Sequence, residues 1–128
     1  SSSRGLYKYN LASNKMKLID SNIYYNIQIF ESYILASNKN LWYIDMFGRE
    51  LISNNINYFN TNSNGDKICA TDLNEIKIID FYSKSEWFIN LNQLNIDEPI
   101  YSIDCDDDWL WFPMSSGISF FKWSNYDE

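Results

Sequence analysis

Apolar residues along this chain fall into short runs separated by polar, turn-forming residues, and four of the runs share one pattern. They are Leu6-Tyr7-Lys8-Tyr9-Asn10, Leu41-Trp42-Tyr43-Ile44-Asp45, Ile76-Lys77-Ile78-Ile79-Asp80 and Ile118-Ser119-Phe120-Phe121-Lys122. A large apolar residue follows each: Leu11, Met46, Phe81 and Trp123. Starts at positions 6, 41, 76 and 118 lie 35, 35 and 42 residues apart. These runs, each the third strand of its repeat, are nearly continuous in apolar residues, the pattern of strands buried on both faces rather than on one. Spacing of 3.6 is absent, and the abundant Asn, Ser and β-branched residues are poor helix material.

A period near 40 residues with several strands in each period defines a β-propeller or a related stacked array. The chain reads as one repeat domain over residues 1–128, with a partial blade at 4–19, blades at 23–53 and 56–90, and a partial blade at 100–126. Strands are expected at 25–30, 33–36, 41–46 and 50–53 in the second repeat, and at 56–59, 67–71, 75–81 and 86–89 in the third. The fourth repeat is expected to hold 100–104, 109–112 and 117–123. Phe47-Gly48-Arg49 and Asn64-Gly65 mark tight turns, where glycine accepts a positive φ. The expected fold class is therefore all-β, a propeller-like array of about three and a half four-stranded antiparallel repeats. Open ends of such an array leave unpaired strand edges, which proteins avoid. Completion by a second copy, another chain or further blades is expected, since two copies supply about seven blades' worth of strands.

Two stretches resemble known propeller repeats. Leu41-Trp42-Tyr43-Ile44-Asp45-Met46-Phe47-Gly48-Arg49-Glu50-Leu51 is similar to the repeat of pyrroloquinoline-quinone-type propellers. Ile100-Tyr101-Ser102-Ile103-Asp104, with Asp107-Asp108-Trp109-Leu110-Trp111-Phe112 and Gly117-Ile118, resembles the two-component-regulator propeller repeat, as does Gly5-Leu6-Tyr7-Lys8-Tyr9-Asn10. Pro113-Met114 and Glu75 depart from those patterns, and no quinone-binding residue carries over, so no cofactor is expected. The regulator resemblance implies a sensor domain in an extracytoplasmic setting that binds a glycan or small molecule.

Charge narrows the function. A formal charge of -7 opposes nucleic acid, whose affinity rests on Lys and Arg at phosphates. No apolar run approaches the roughly 20 residues of a membrane helix, so no membrane insertion is expected. The chain has no His, which removes the usual general base and the commonest metal ligand. No pair of carboxylates stands out by spacing, and catalysis is not expected.

Two groups carry candidate chemistry. Asp104, Asp106, Asp107 and Asp108 offer the oxygens a Ca²⁺ ion takes, although the EF-hand spacing is absent and a solvated acidic turn is the plainer reading. Trp109, Trp111, Phe112, Trp123 and Tyr126 crowd the last repeat. Blade packing accounts for most of them, and Trp123 is expected to be the more exposed. Trp109, Trp123, Tyr126 and Arg49 are the residues expected to meet a partner, since aromatic and Arg side chains dominate contact energy. Cys69 lies in an apolar strand and Cys105 in the acidic turn. They can pair only if that turn folds back onto the neighbouring repeat, and free buried cysteines are the commoner outcome. The expected role is a non-catalytic recognition module that binds a protein or a second copy of itself.

Overall fold

The computed structural model describes residues 5–72 and 75–123, with the side chain of Phe121 left aside. Among these residues the chain forms four antiparallel sheets, each a meander whose strands follow chain order. The first pairs β1 (Leu6–Asn10) with β2 (Lys15–Asp20). The second holds β3 (Asn26–Ile29), β4 (Ile34–Ser37), β5 (Lys39–Asp45) and β6 (Gly48–Ile56). The third holds β7 (Tyr58–Thr61), β8 (Lys67–Thr71), β9 (Glu75–Asp80) and β10 (Glu86–Asn90). The fourth holds β11 (Asp104–Cys105), β12 (Trp109–Met114) and β13 (Gly117–Lys122). The leading strands of consecutive sheets, β3, β7 and β11, pack in succession. That is the arrangement of propeller blades.

The third sheet shows why its strands read as continuous apolar runs. Register pairs Ile68 with Ile79 and Ala70 with Lys77 on one face, and Cys69 with Ile78 and Thr71 with Ile76 on the other. The first face joins Leu35, Leu41, Ile56 and Phe59 of its own and the second sheet in one apolar cluster. The second face joins Leu110, Phe112, Ile100, Ile103 and Trp123 in another. Successive residues point to opposite faces, so a sheet covered on both sides needs apolar residues at every position. Each buried Ile contributes roughly 1.5–3 kcal/mol of transfer free energy. Lys77 stays in register on the first face by sending its Nζ to the Asn54 carbonyl and to Ser53 Oγ, at 3.5 Å, while Ser53 Oγ also donates to Glu86.

Several strand positions differ from the sequence reading. β6 continues to Ile56, so the first strand of the third sheet begins at Tyr58 rather than at 56. The strand expected at 100–104 shrinks to Asp104–Cys105. Ile100 and Ile103 are buried in the second cluster, so their apolar signal came from packing and not from ladder pairing. The linker at 90–99 carries a single 3₁₀ turn, Leu91–Leu94. Asn90 caps it by accepting from the Asn92 N–H at 2.8 Å, and Asn95 closes it in the left-handed region at φ 58°.

Candidate functional site

The fourth sheet has one covered face and one open face. Register places Trp111 opposite Phe120 and Pro113 opposite Ile118, with Trp109 opposite Lys122. These six side chains share the face away from the third sheet. Leu110 and Phe112 turn inward and are fully buried. Trp109 is 41% exposed, Phe120 66% and Ile118 68%. The Trp109 and Phe120 rings meet edge to face at 5.8 Å between centroids. Together with Asp106 and Trp111 they line a shallow groove of about 310 Å³. Aromatic rings of this size bury large apolar areas when they are covered.

The acidic turn at the edge of this face is built by its own carboxylates. Asp106 Oδ1 accepts from the backbone N–H groups of Trp109 and Asp108, at 2.7 and 2.9 Å. The Trp109 N–H is the main cause that holds the Asp106 carboxyl below the ordinary range. Asp104 accepts from Asn60 Nδ2 at 2.7 Å, and Asp107 from the Ser63 N–H and hydroxyl at 3.1 and 2.8 Å. Three of the four aspartates expected as a Ca²⁺ candidate, Asp104, Asp106 and Asp107, are therefore spent on separate partners. Among the described residues, no three His, Cys, Asp or Glu side chains are grouped to hold a metal ion. The acidic cluster is a clasp between the third and fourth sheets, tying the Asn60–Asp66 segment to the turn.

The other predicted contact residues are scattered. Trp123 is fully buried, against the expectation that it would be the exposed one. Its indole N–H donates to the Asp106 carbonyl at 3.0 Å and its backbone N–H to the Asp108 carbonyl at 2.9 Å, so the acidic turn folds over it. Arg49 lies on the second sheet, 4.0 Å over the Trp42 ring, and donates to Tyr24 Oη at 3.4 Å. Tyr24 in turn donates to Asp20 at 2.8 Å. Burial pushes the Asp20 carboxyl up, but hydrogen bonds from Asn22 and Tyr24 and the Arg49 charge bring it below its usual value. Arg49 thus couples the first and second sheets. Tyr126 lies outside the described residues. Of the predicted contact residues that are described, Trp109 alone stands on the open face. Ile118 and Phe120, on the same face, were read as interior strand residues. Their alternation with Ser119 was the available signal.

A second depression of about 310 Å³ lies where the leading strands end. It is lined by Gln28, Phe30, Thr61 and Ser63, with Cys105 and Asp107 on its far wall.

Comparison by sequence finds no matching family model and no matching curated relative. Comparison of folds finds β-propellers, and that is the class of protein this architecture defines. The crystal structure of the N-terminal domain of Nup159 superposes with a TM-score of 0.58 at 14% identity, over 96% of this chain and 32% of that one. A chain from the S. cerevisiae complex of Dbp5 bound to Nup159, Gle1, IP6 and ADP gives 0.57 at 16% identity, over 96% and 31%. The chain spans about a third of the length of the solved chains it matches.

Proposed function

We propose that this chain is a non-catalytic propeller module for protein–protein interaction, and that the open face of the fourth sheet is where its partner docks. The observation that carries this reading is the exposure of Trp109, Phe120 and Ile118 together on one flat sheet face. A propeller blade covers such a face with the next blade. The fold neighbour Nup159 has a protein, Dbp5, bound in one of its structures, which supports an interaction role for the scaffold in general.

The partner that fits is a second copy, joined head to tail. The first sheet also leaves large apolar side chains in solvent, namely Tyr9, Leu11, Met16 and Leu18. It carries Lys8, Lys15 and Lys17, all exposed, whereas the fourth sheet is edged by Asp104, Asp106, Asp107 and Asp108. Apolar surface meets apolar surface, and a basic rim meets an acidic one, which favours this pairing over face-to-face contact of two like sheets. Two such contacts close a ring with two-fold symmetry.

Light scattering on a sizing column, from low to high micromolar protein, tests the reading. A dimer is expected, and Phe120→Glu combined with Trp109→Glu is expected to return it to monomer without loss of the far-ultraviolet β signal. Added salt is expected to weaken the dimer of the unaltered chain, because the rims are charged. A monomer that stays monodisperse across the range overturns the self-association.

A further inference from the structure

Cys69 and Cys105 come from neighbouring sheets, β8 and β11, and meet in the same apolar cluster. Both are free thiols and both are buried. The two side chains share that cluster with Ile76, Ile78 and Leu110, in the layer between the two sheets. The surrounding geometry holds them there. Asn60 is the register partner of Cys69, and its Nδ2 donates to the carboxylate of Asp104, the residue beside Cys105. The Cys105 N–H is fixed on that same carboxylate at 2.8 Å, and β11 packs on β7. The two thiols are not equally accessible. Cys69 is fully buried, whereas Cys105 retains 8% exposure and lines the open depression beside Gln28, Thr61 and Ser63.

We propose that Cys69 and Cys105 are a redox pair that forms an inter-blade disulfide when the protein meets a low-molecular-weight disulfide. Cys105, on the cleft, reacts first. Its thiolate attacks one sulfur of the oxidant, releasing one thiolate and leaving a mixed disulfide on Cys105. The Cys69 thiolate then attacks the Cys105 sulfur and expels the second small thiol. Two protein thiols become one protein disulfide, and one small disulfide becomes two small thiols, so the two electrons and two protons are accounted for. Burial and the neighbouring Cys105 push the Cys69 thiol up, so the second step depends on contact with Cys105 rather than on a free thiolate pool. The product locks the third sheet to the fourth and closes a loop of some 36 residues in sequence, from 69 to 105.

The full chain is incubated with oxidised glutathione near pH 8, quenched in acid, and examined by intact mass and by peptide mapping without reduction. The expected result is loss of two hydrogens, a cross-linked peptide containing Cys69 and Cys105, and no thiol reactive in denaturant. Melting temperature is expected to rise by roughly 10 °C, and to fall back on reduction. In Cys69→Ser the expected product is a stable glutathione adduct on Cys105. Two free thiols in the treated native chain, or an adduct on Cys105 of the unaltered chain that never resolves to the cross-link, overturns the proposal.

Discussion

At the scale of single residues, the backbone of Gly65 is more constrained than its place in a polar loop suggests. Its φ is +74°, and a Cβ built there falls 2.6 Å from Cε1 of Phe30. Phe30 begins an aromatic column in which it stacks on Tyr33 at 4.7 Å, and Tyr33 stacks in turn on Tyr43 and Phe81 at 5.1 and 5.5 Å. Gly65→Ala is therefore expected to combine left-handed backbone strain with displacement of a packed ring, costing about 2 kcal/mol or more in urea unfolding. It should also change the near-ultraviolet circular dichroism of the column. Gly48 also has a positive φ, but nothing lies within 4 Å of its added Cβ. Gly48→Ala is expected to carry the strain alone and to leave the near-ultraviolet signal intact. The sequence announced both turns through Phe47-Gly48 and Asn64-Gly65. It could not announce the ring against Gly65, because Phe30 lies 35 positions away in another blade. Trp123 was misread for a related reason. Composition marked it as a candidate contact, but its burial depends on an acidic turn folding over the indole, which no local pattern encodes.

Elements in this molecule are held at their turns by carboxylates that accept backbone N–H groups. Asp80 at the end of β9 accepts from the N–H groups of Ser83 and Tyr82, at 2.9 and 3.0 Å. The Ser83 N–H leads the effects that hold its carboxyl below the ordinary range, with the nearby Lys67 charge adding to it. Asp106 does the same between β11 and β12, and Glu98 receives the hydroxyl and N–H of Ser115, both at 2.6 Å. All three carboxyls have folded-state values below those of the unfolded chain. Their contribution is complete above the unfolded value, near pH 4, and is lost as pH falls through the lower folded values. Melting temperature is expected to drop between about pH 5 and pH 2, and Asp80→Asn is expected to shallow that drop. An equal slope in the variant would show that the Asp80 charge takes no part. At this scale the sequence was most legible. The four repeat runs, the hairpin turns and the sheet order follow from local pattern and turn chemistry. The exception is 100–104, where Ile100 and Ile103 supplied apolar spacing without a pairing strand, since burial and ladder formation leave the same mark on a short run.

For the whole molecule, the fourth sheet leaves one face uncovered, and the first sheet leaves Tyr9, Leu11, Met16 and Leu18 in solvent. The repeat count signalled this, and so did the nearly unbroken apolar character of the runs. The location of the proposed recognition face was legible only in part. Trp109 stood out by residue type, whereas Ile118 and Phe120 looked like interior residues because β13 has the sequence of a strand meant to be covered on both sides. That mismatch between sequence character and exposure is the strongest physical reason to expect a protein on that face.

The third sheet is the only four-stranded sheet among the described residues with apolar clusters on both faces, and this orders the molecule in time as well as in space. The amides of β8 and β9 sit in central strands between the two clusters and should open only with global unfolding. Those of β1 and β2 should open through local fraying at a small fraction of that free energy. Hydrogen exchange followed by mass spectrometry is expected to show deuterium entering from both ends of the array toward residues 67–80. A perturbation at either terminal blade would then fade as it travels inward, leaving the centre to report only on events that unfold the whole chain.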